Sequence, residues 1–209
     1  NLLIVNSINL IDGIDGLASG ISVVALIAYL ILFSTLGVVS YTVFAAALIG
    51  AVVVFMYYNL FGNIEKGTKT FMGDTGSLIL GYALAYLSIK YAMYNPNVLP
   101  DRPYALIMAF TFLIIPVFDL TRVAFTRLLN KKSIFHPDKT HIHHLCMQTG
   151  LSMRWTLVII LCLQVLFVLV NYAFIKFCIP STLILLIDII IFATFIIVVK
   201  KNSKLESSK

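Results

Sequence analysis

No charged residue occurs between Asp15 and Glu65. A helix needs about 20 apolar residues to cross a bilayer core of roughly 30 Å, so this gap is long enough for two spans, divided near Gly37. Only 11% of the 209 residues are charged and 60% are hydrophobic, whereas a soluble domain has about 25% charged residues. The sequence therefore predicts an integral membrane protein.

Other uncharged runs extend this pattern along the chain. They are continuous, and therefore favour helices over the alternating strands of a membrane barrel. Residues 1–10 would give only about 15 Å of helix, half a bilayer. We expect an all-α polytopic membrane protein with a partial N-terminal helix, a fragment of a larger bundle that lacks its N-terminal spans. The six full spans are predicted at 19–37, 41–58, 76–95, 104–122, 155–176 and 180–199.

The lysines and arginines are distributed unevenly between the two sides of such a bundle. Twelve of the fifteen fall in the connections at one side, which include 59–75, 122–154 and a basic tail at 200–209 that follows the multi-span domain at 1–199. By the positive-inside rule this side faces the cytoplasm. The polar motifs described next also fall on this side, which predicts a single site.

The first motif, NSINLIDGIDG, begins at Asn6. Asn6 and Asn9 are three residues apart, as are Asp12 and Asp15, so each pair lies on roughly one helix face. Gly13 allows a ligand to approach the backbone closely. A simpler interpretation is that the acids cap the next helix and mark the membrane surface. Capping explains one acid but not two pairs.

The second motif, FMGDTGS, places Asp74 between glycines directly before an uncharged run. Free N–H groups at a helix N-terminus attract phosphate, and a nearby carboxylate can hold Mg²⁺ that also binds phosphate oxygens. The spacing is not that of a Walker A loop. A plain N-cap is the alternative.

The third motif, HPDKTHIHH, clusters His141, His143 and His144 near Lys139 in a basic connection. The spacing is not typical of zinc sites. Contact with phosphate is favoured by the surrounding cations, and the alternative is a solvated loop that attracts anionic lipid.

Other polar residues favour structural interpretations. Asp119 and Arg122 are predicted to form a local ion pair rather than to act in catalysis. Asp188 lies inside the last span, where we expect it to contact Lys176 or a polar group of another helix. The three cysteines show no spacing typical of a disulfide or metal site.

Together with DLTRVAFTR, these motifs stand in an order that resembles the polyprenyl-phosphate N-acetylhexosamine-1-phosphate transferases, over residues 1 to about 155. The resemblance implies a bacterial enzyme of the cytoplasmic membrane, with its active site facing the cytoplasm. It would transfer a sugar 1-phosphate from a UDP-sugar to a polyprenyl phosphate and release UMP. Mg²⁺ is the implied cofactor, with Mn²⁺ as a possible substitute. The implied partners are the UDP-sugar, the lipid and a second copy in a homodimer, and not nucleic acid.

The resemblance also implies roles for individual residues. Asn9 and Asp74 match the metal ligands, Gly13 and Asp15 a uracil-binding turn, and Phe71 an aromatic that stacks on uracil. The expected catalytic residues are Asp12, Asp15, Asp74, His141, His143 and His144, and the expected substrate-binding residues are Asn6, Gly13, Asp15, Asn59, Phe71 and Lys139.

Two departures from the family pattern affect these expectations. An aspartate pair on an earlier cytoplasmic loop is not in this sequence, so we expect the 209 residues alone to be inactive. The longer segment between Asn59 and Phe71 leaves open whether Asn59 or Asn63 faces the nucleotide. The histidine motif favours N-acetylglucosamine over the muramoyl-pentapeptide or another N-acetylhexosamine. A transporter or an inactive remnant are the alternatives from other classes.

Overall fold

The computed structural model of the chain describes residues 1–95, 99, 101–131, 133 and 140–207. Within this part the regular structure is helical apart from one isolated bridge, Asn95 to Leu99, as predicted for an all-α membrane protein. The last helix continues through the first residues of the predicted tail. The helices are α1 (Leu2–Ile11), α2 (Leu17–Thr35), α3 (Val39–Phe61), α4 (Gly73–Ala92), α5 (Ala105–Thr111), α6 (Ile114–Leu129), α7 (Ile142–Met147), α8 (Met153–Lys176) and α9 (Ser181–Ser207).

The prediction of six full spans is wrong. In the described part of the chain, α2, α3, α8 and α9 are each long and apolar enough to cross a membrane, and α5 with α6 would make a fifth span. α4 is not among them, because Asp74, Lys90 and its glycines, serines and tyrosines lower its hydropathy. Its length of 20 residues matches the prediction at 76–95, but it is less apolar than the four helices named above.

The segment predicted as one span at 104–122 is broken. α5 ends at Thr111, α6 begins at Ile114, and the two helices meet at 78°. Pro116 favours the break, because proline has no N–H to donate to the Phe112 carbonyl and its ring crowds that group. In α6 Pro116 lies in the first turn, where a proline is tolerated.

α1 crosses α4 at very short range. A Cβ atom on Gly81 of α4 would lie 2.9 Å from the Val5 Cα atom and 3.1 Å from the Val5 carbonyl oxygen. Because the opposing atoms are backbone, only glycine fits here without a shift of the helices. α1 also packs against α6, and α2 packs against α3, α4 and α8. The end of α1, and with it the turn to α2, lies at the first turn of α4, where Asn9 contacts Asp74 and Ser77.

The polar residue predicted inside the last span has a partner on another helix. Asn171 of α8 donates its Nδ2 to Asp188 Oδ2 of α9 at 2.8 Å. The expected polar contact between helices is confirmed, whereas Lys176 is the wrong partner, since its ammonium lies over the Tyr172 ring.

Candidate active site

The turn between α1 and α2 is held in place by Asn59 of α3. Gly16 starts α2 in the left-handed region, at φ 79°, and its N–H donates to Asn59 Oδ1 at 2.7 Å. The Asn59 amide nitrogen donates to the Thr70 carbonyl at 2.8 Å and lies 3.3 Å from Asp15 Oδ1. Of the two asparagines left open by the sequence, the buried Asn59 contacts the turn, while Asn63 organises its own loop through the Glu65 and Lys66 N–H groups.

Lys69 closes the same side of the turn. Its Nζ lies 2.6 Å from Asp15 Oδ2 and also donates to the Asn59 carbonyl. The Lys69 ammonium is 5.8 Å from the centroid of the Phe71 ring, which is 68% exposed. An exposed ring beside a cation and a carboxylate can receive a planar ligand, because flat π-systems stack on aromatic faces.

Asn9 and Asp74 join the first and second motifs. The Asn9 Nδ2 atom lies 3.3 Å from Asp74 Oδ1 and 2.8 Å from Ser77 Oγ, so the end of α1 meets the first turn of α4. Ser77 is buried and its hydroxyl is held by the Gly73 and Asp74 carbonyls.

Asp12 adds a third carboxylate to this region. Burial, followed by the negative charges of Asp15 and Asp74, raises the pKa of Asp12 to about 6. Three acids therefore influence one another at the end of α1. Such a grouping is electrostatically unfavourable unless a cation or a proton compensates for it.

Asp119 anchors the histidine motif to α6. Its carboxylate is 1% exposed and accepts from Arg122 at 2.6 Å, from the Ile142 N–H at 3.0 Å and from His141 Nδ1 at 2.8 Å. Arg122 also donates to the Thr140 carbonyl at 2.6 Å. The predicted ion pair between Asp119 and Arg122 is confirmed, but Asp119 additionally fixes the orientation of His141.

His143 connects the histidine motif to the first motif. A Cβ atom on Gly13 would lie 2.1 Å from His143 Nε2, so the glycine leaves room for the imidazole ring. The ring stacks with His141 at a centroid distance of 6.1 Å and lies 4.2 Å from the ring of His144. Through these contacts the structure brings all three motifs to one site.

Burial in this site lowers the pKa of His143 to about 4, with a smaller contribution from His144. His143 is 2% exposed and its Nδ1 atom has no hydrogen-bond partner among the described residues. The His143 imidazole, buried where the third motif contacts the first, is therefore neutral near pH 7.

One predicted residue, Asn6, makes its hydrogen bond within its own helix: its Nδ2 atom donates to the Leu2 carbonyl, one turn before Asn9. Lys139 lies outside the described residues. Conversely, neither the role of Lys69 nor the His141 contact of Asp119 is predicted from the sequence. The DLTRVAFTR motif draws attention to Asp119, but Arg122, three residues later, already provides a partner for its carboxylate.

The donor atoms of Asn9 and Asp74 suit a hard cation. Side-chain amide and carboxylate oxygens are the ligands that Mg²⁺ takes from proteins, usually one or two beside substrate phosphates. Across the described ranges, no three His, Cys, Asp or Glu side chains lie close enough together to hold a metal by themselves. The residues thus fit a cation shared with a phosphorylated ligand better than one enclosed by protein.

Comparison with known proteins shows the family to which the chain is similar. The sequence profile described as glycosyl transferase family 4 matches residues 1–92. A Bacillus subtilis protein named "Probable undecaprenyl-phosphate N-acetylglucosaminyl 1-phosphate transferase" is 39% identical over 157 residues, 75% of this chain and 41% of that protein. The chain belongs to glycosyl transferase family 4.

Two further relatives of this family 4 chain are named "Undecaprenyl-phosphate alpha-N-acetylglucosaminyl 1-phosphate transferase". The Yersinia pestis protein is 33% identical and the Escherichia coli K12 protein 31% identical, each over 156 residues, or 75% of this chain and 41% of the relative. The chain thus spans about two fifths of the length of these relatives. No solved structure matches it significantly.

The contact between Gly13 and His143 leads to a first prediction for the family 4 site. We expect Gly13→Ala to displace the imidazole or the turn and to lower the free energy of unfolding by about 1–3 kcal/mol, the usual cost of overpacking. Thermal unfolding in detergent would measure the change. The matched control is Gly50→Ala, because a Cβ atom there meets nothing within 4 Å. Equal effects of the two substitutions would contradict the contact, as would a Gly13→Ala/His143→Ala double variant less stable than His143→Ala.

The lowered pKa of His143 leads to a second prediction. A histidine whose folded pKa is about 4 and whose unfolded pKa is 6.5 stabilises the fold above pH 6.5 and loses this contribution as the pH falls towards 4. We expect His143→Leu to reduce the loss of melting temperature between pH 7 and about pH 4.5. His144→Leu is the control on the same helix. An unchanged acid sensitivity in His143→Leu would show that another group is responsible.

Proposed function

We propose that the full-length protein transfers N-acetylglucosamine 1-phosphate from UDP-N-acetylglucosamine to undecaprenyl phosphate and releases UMP. The observation that carries the proposal is the contact between Asn9 and Asp74 at the same site as the histidine motif. A candidate cation site, Asn9 and Asp74, thus lies beside the imidazoles of the histidine motif and next to apolar helices. The names of the relatives support two parts of this proposal, the N-acetylglucosaminyl 1-phosphate group and undecaprenyl phosphate.

Asn9 and Asp74 would hold Mg²⁺ in this enzyme. The bound ion would neutralise charge on the diphosphate of the donor and help to orient it. The N-terminus of α4, where Asp74 lies, offers unsatisfied backbone N–H groups that also favour phosphate. Mn²⁺ would use the same oxygen donors.

The reaction requires one bond to form and one to break at the phosphorus that carries the sugar. An oxygen of the polyprenyl phosphate attacks this phosphorus, and the bond to the UMP oxygen breaks, so that UMP leaves with the bonding electrons. Positioning and charge stabilisation are the main tasks of a protein in phosphoryl transfer. Asp119 would contribute to positioning, because it holds His141 Nδ1 at 2.8 Å and would orient the imidazole towards the phosphate charge.

The nucleotide would bind at the opposite edge of the site. The exposed Phe71 ring would stack on uracil, and the turn at Gly13 and Asp15, held by Asn59 and Lys69, would contact its polar edge. This edge faces the cytoplasm in the proposed orientation, because the lysine-rich connections lie on the same side.

The proposal is tested by UMP release from full-length protein in inverted membrane vesicles that contain undecaprenyl phosphate. We expect release with UDP-N-acetylglucosamine and Mg²⁺, and none after chelation. UDP-N-acetylgalactosamine and UDP-N-acetylmuramoyl-pentapeptide should be poorer donors. Preference for another donor would contradict the sugar assignment. Release with the donor sealed inside the vesicles, but not outside, would contradict the orientation.

A further inference from the structure

The break between α5 and α6 is bridged by a side chain from another helix. Gln164 of α8 donates its Nε2 atom to the Thr111 carbonyl at 3.0 Å and to the Phe112 carbonyl at 3.2 Å. Its Oε1 atom accepts from the Ile115 N–H at 3.4 Å. Gln164 is fully buried.

These bonds replace the helical bonds that the break removes. In a continuous helix the Thr111 carbonyl would accept from the Ile115 N–H, and the Phe112 carbonyl from residue 116. Residue 116 is proline and has no N–H to give. Unpaired backbone groups are costly in the apolar interior of a membrane, so the Gln164 amide stabilises the bent form specifically.

A second polar contact lies two turns further along the same face of α8. Asn171 donates its Nδ2 atom to Thr111 Oγ1 at 2.8 Å and to Asp188 Oδ2 of α9 at 2.8 Å. Thr111, Asn171 and Asp188 are all fully buried. The end of α5 is thus tied to both α8 and α9.

We propose that Gln164 is a positioning residue that maintains the 78° bend and thereby sets the direction of α6. α6 carries Asp119, whose carboxylate orients His141. A residue in the apolar part of the protein therefore controls the placement of a histidine at the site. Gln164 lies outside residues 1–92, which match the family profile.

The bend can be measured with spin labels on the exposed positions Leu106 of α5 and Phe125 of α6, after replacement of the three cysteines. A straight helix would separate the two Cα atoms by about 28 Å, and the bend shortens this distance. We expect Gln164→Met, which keeps the length of the side chain but removes its hydrogen bonds, to broaden the distance distribution. An unchanged distribution would overturn the proposal.

Pro116→Ala provides the decisive comparison, because it restores the missing N–H. If Gln164 maintains the bend, the distance should stay near the wild-type value in Pro116→Ala and lengthen towards the straight value in Pro116→Ala/Gln164→Met. A Pro116→Ala variant that straightens while Gln164 is present would overturn the proposal. This measurement needs no substrate.

An enzymatic test rests on the proposed function. We expect Gln164→Met to lower kcat for UMP release by about 10- to 100-fold while KM for the UDP-sugar stays within about twofold, since misplacement by about 1 Å has effects of this size. In an Asp119→Asn background it should cause no further loss, because both residues act through His141. Additive losses would overturn the link to His141. A protein with no transferase activity but with the expected distances would contradict only the proposed function.

Discussion

Asp74→Asn is expected to lower kcat for UMP release by at least about 100-fold, because groups that only support metal ligands already contribute about 10- to 100-fold. The substitution keeps the size of the side chain but removes the charge that would hold Mg²⁺ with Asn9. The measurement is UMP release by full-length protein across a range of Mg²⁺ concentrations. The half-saturating Mg²⁺ concentration should rise in the variant.

Asp101→Asn is the matched control, since it makes the same substitution in an exposed connection on the opposite side of the predicted bundle. It should leave both kcat and the Mg²⁺ dependence unchanged. Wild-type kinetics in Asp74→Asn would eliminate the proposed metal role. A loss that Mg²⁺ cannot relieve, accompanied by unfolding, would point to a structural role for Asp74 instead.

Asp119→Asn is expected to have the second largest effect, a fall in kcat of about 100-fold or more. The expectation follows from triad enzymes, in which the same change at the carboxylate that orients a histidine costs about 10⁴-fold. The cost here should be smaller because positive charge and the metal would share the stabilisation of phosphate. The free energy of unfolding should fall by about 1–3 kcal/mol, as Arg122 and Ile142 lose a charged acceptor.

A double-mutant cycle with His141 tests the mechanism of this loss. If Asp119 acts by orienting His141, then Asp119→Asn/His141→Asn should be no slower than His141→Asn, because the two substitutions remove one contact. Asp119→Asn combined with Asp74→Asn should instead be close to additive in free energy. Additivity in the first cycle would mean that Asp119 contributes independently of His141.

The helical membrane fold could be predicted because continuous uncharged runs have few alternative structures in a bilayer. The number of spans could not, for two physical reasons. In α4 the glycines and serines, together with Asp74 and Lys90, reduce the hydropathy, so its length alone does not identify it as a span. In the run at 104–122, Pro116 removes one helical hydrogen bond, and Gln164, distant in sequence, stabilises the bent form by bonding the freed backbone groups.

The sequence predicts which residues form the site better than it predicts the contacts between them. Asn9, Asp74 and the histidines stand out because polar residues at the edge of apolar runs are unusual, and the structure brings them together. The contact of Lys69 with Asp15 and that of His141 with Asp119 could not be predicted, because each joins residues that only the tertiary fold brings together. The spacing of Asn6 predicts a shared face with Asn9, but it does not show that the Asn6 amide donates within its own helix, to the Leu2 carbonyl.

The close crossing at Gly81 has a mechanical consequence for the chemistry. Gly81 lies seven positions after Asp74, about 10 Å of helix, and Val5 lies four positions before Asn9, about 6 Å. Asn9 and Asp74 therefore both lie close to the point where α1 and α4 cross. One methyl group added at position 81 would push the two helices apart and widen the gap between Asn9 and Asp74 that a cation has to bridge.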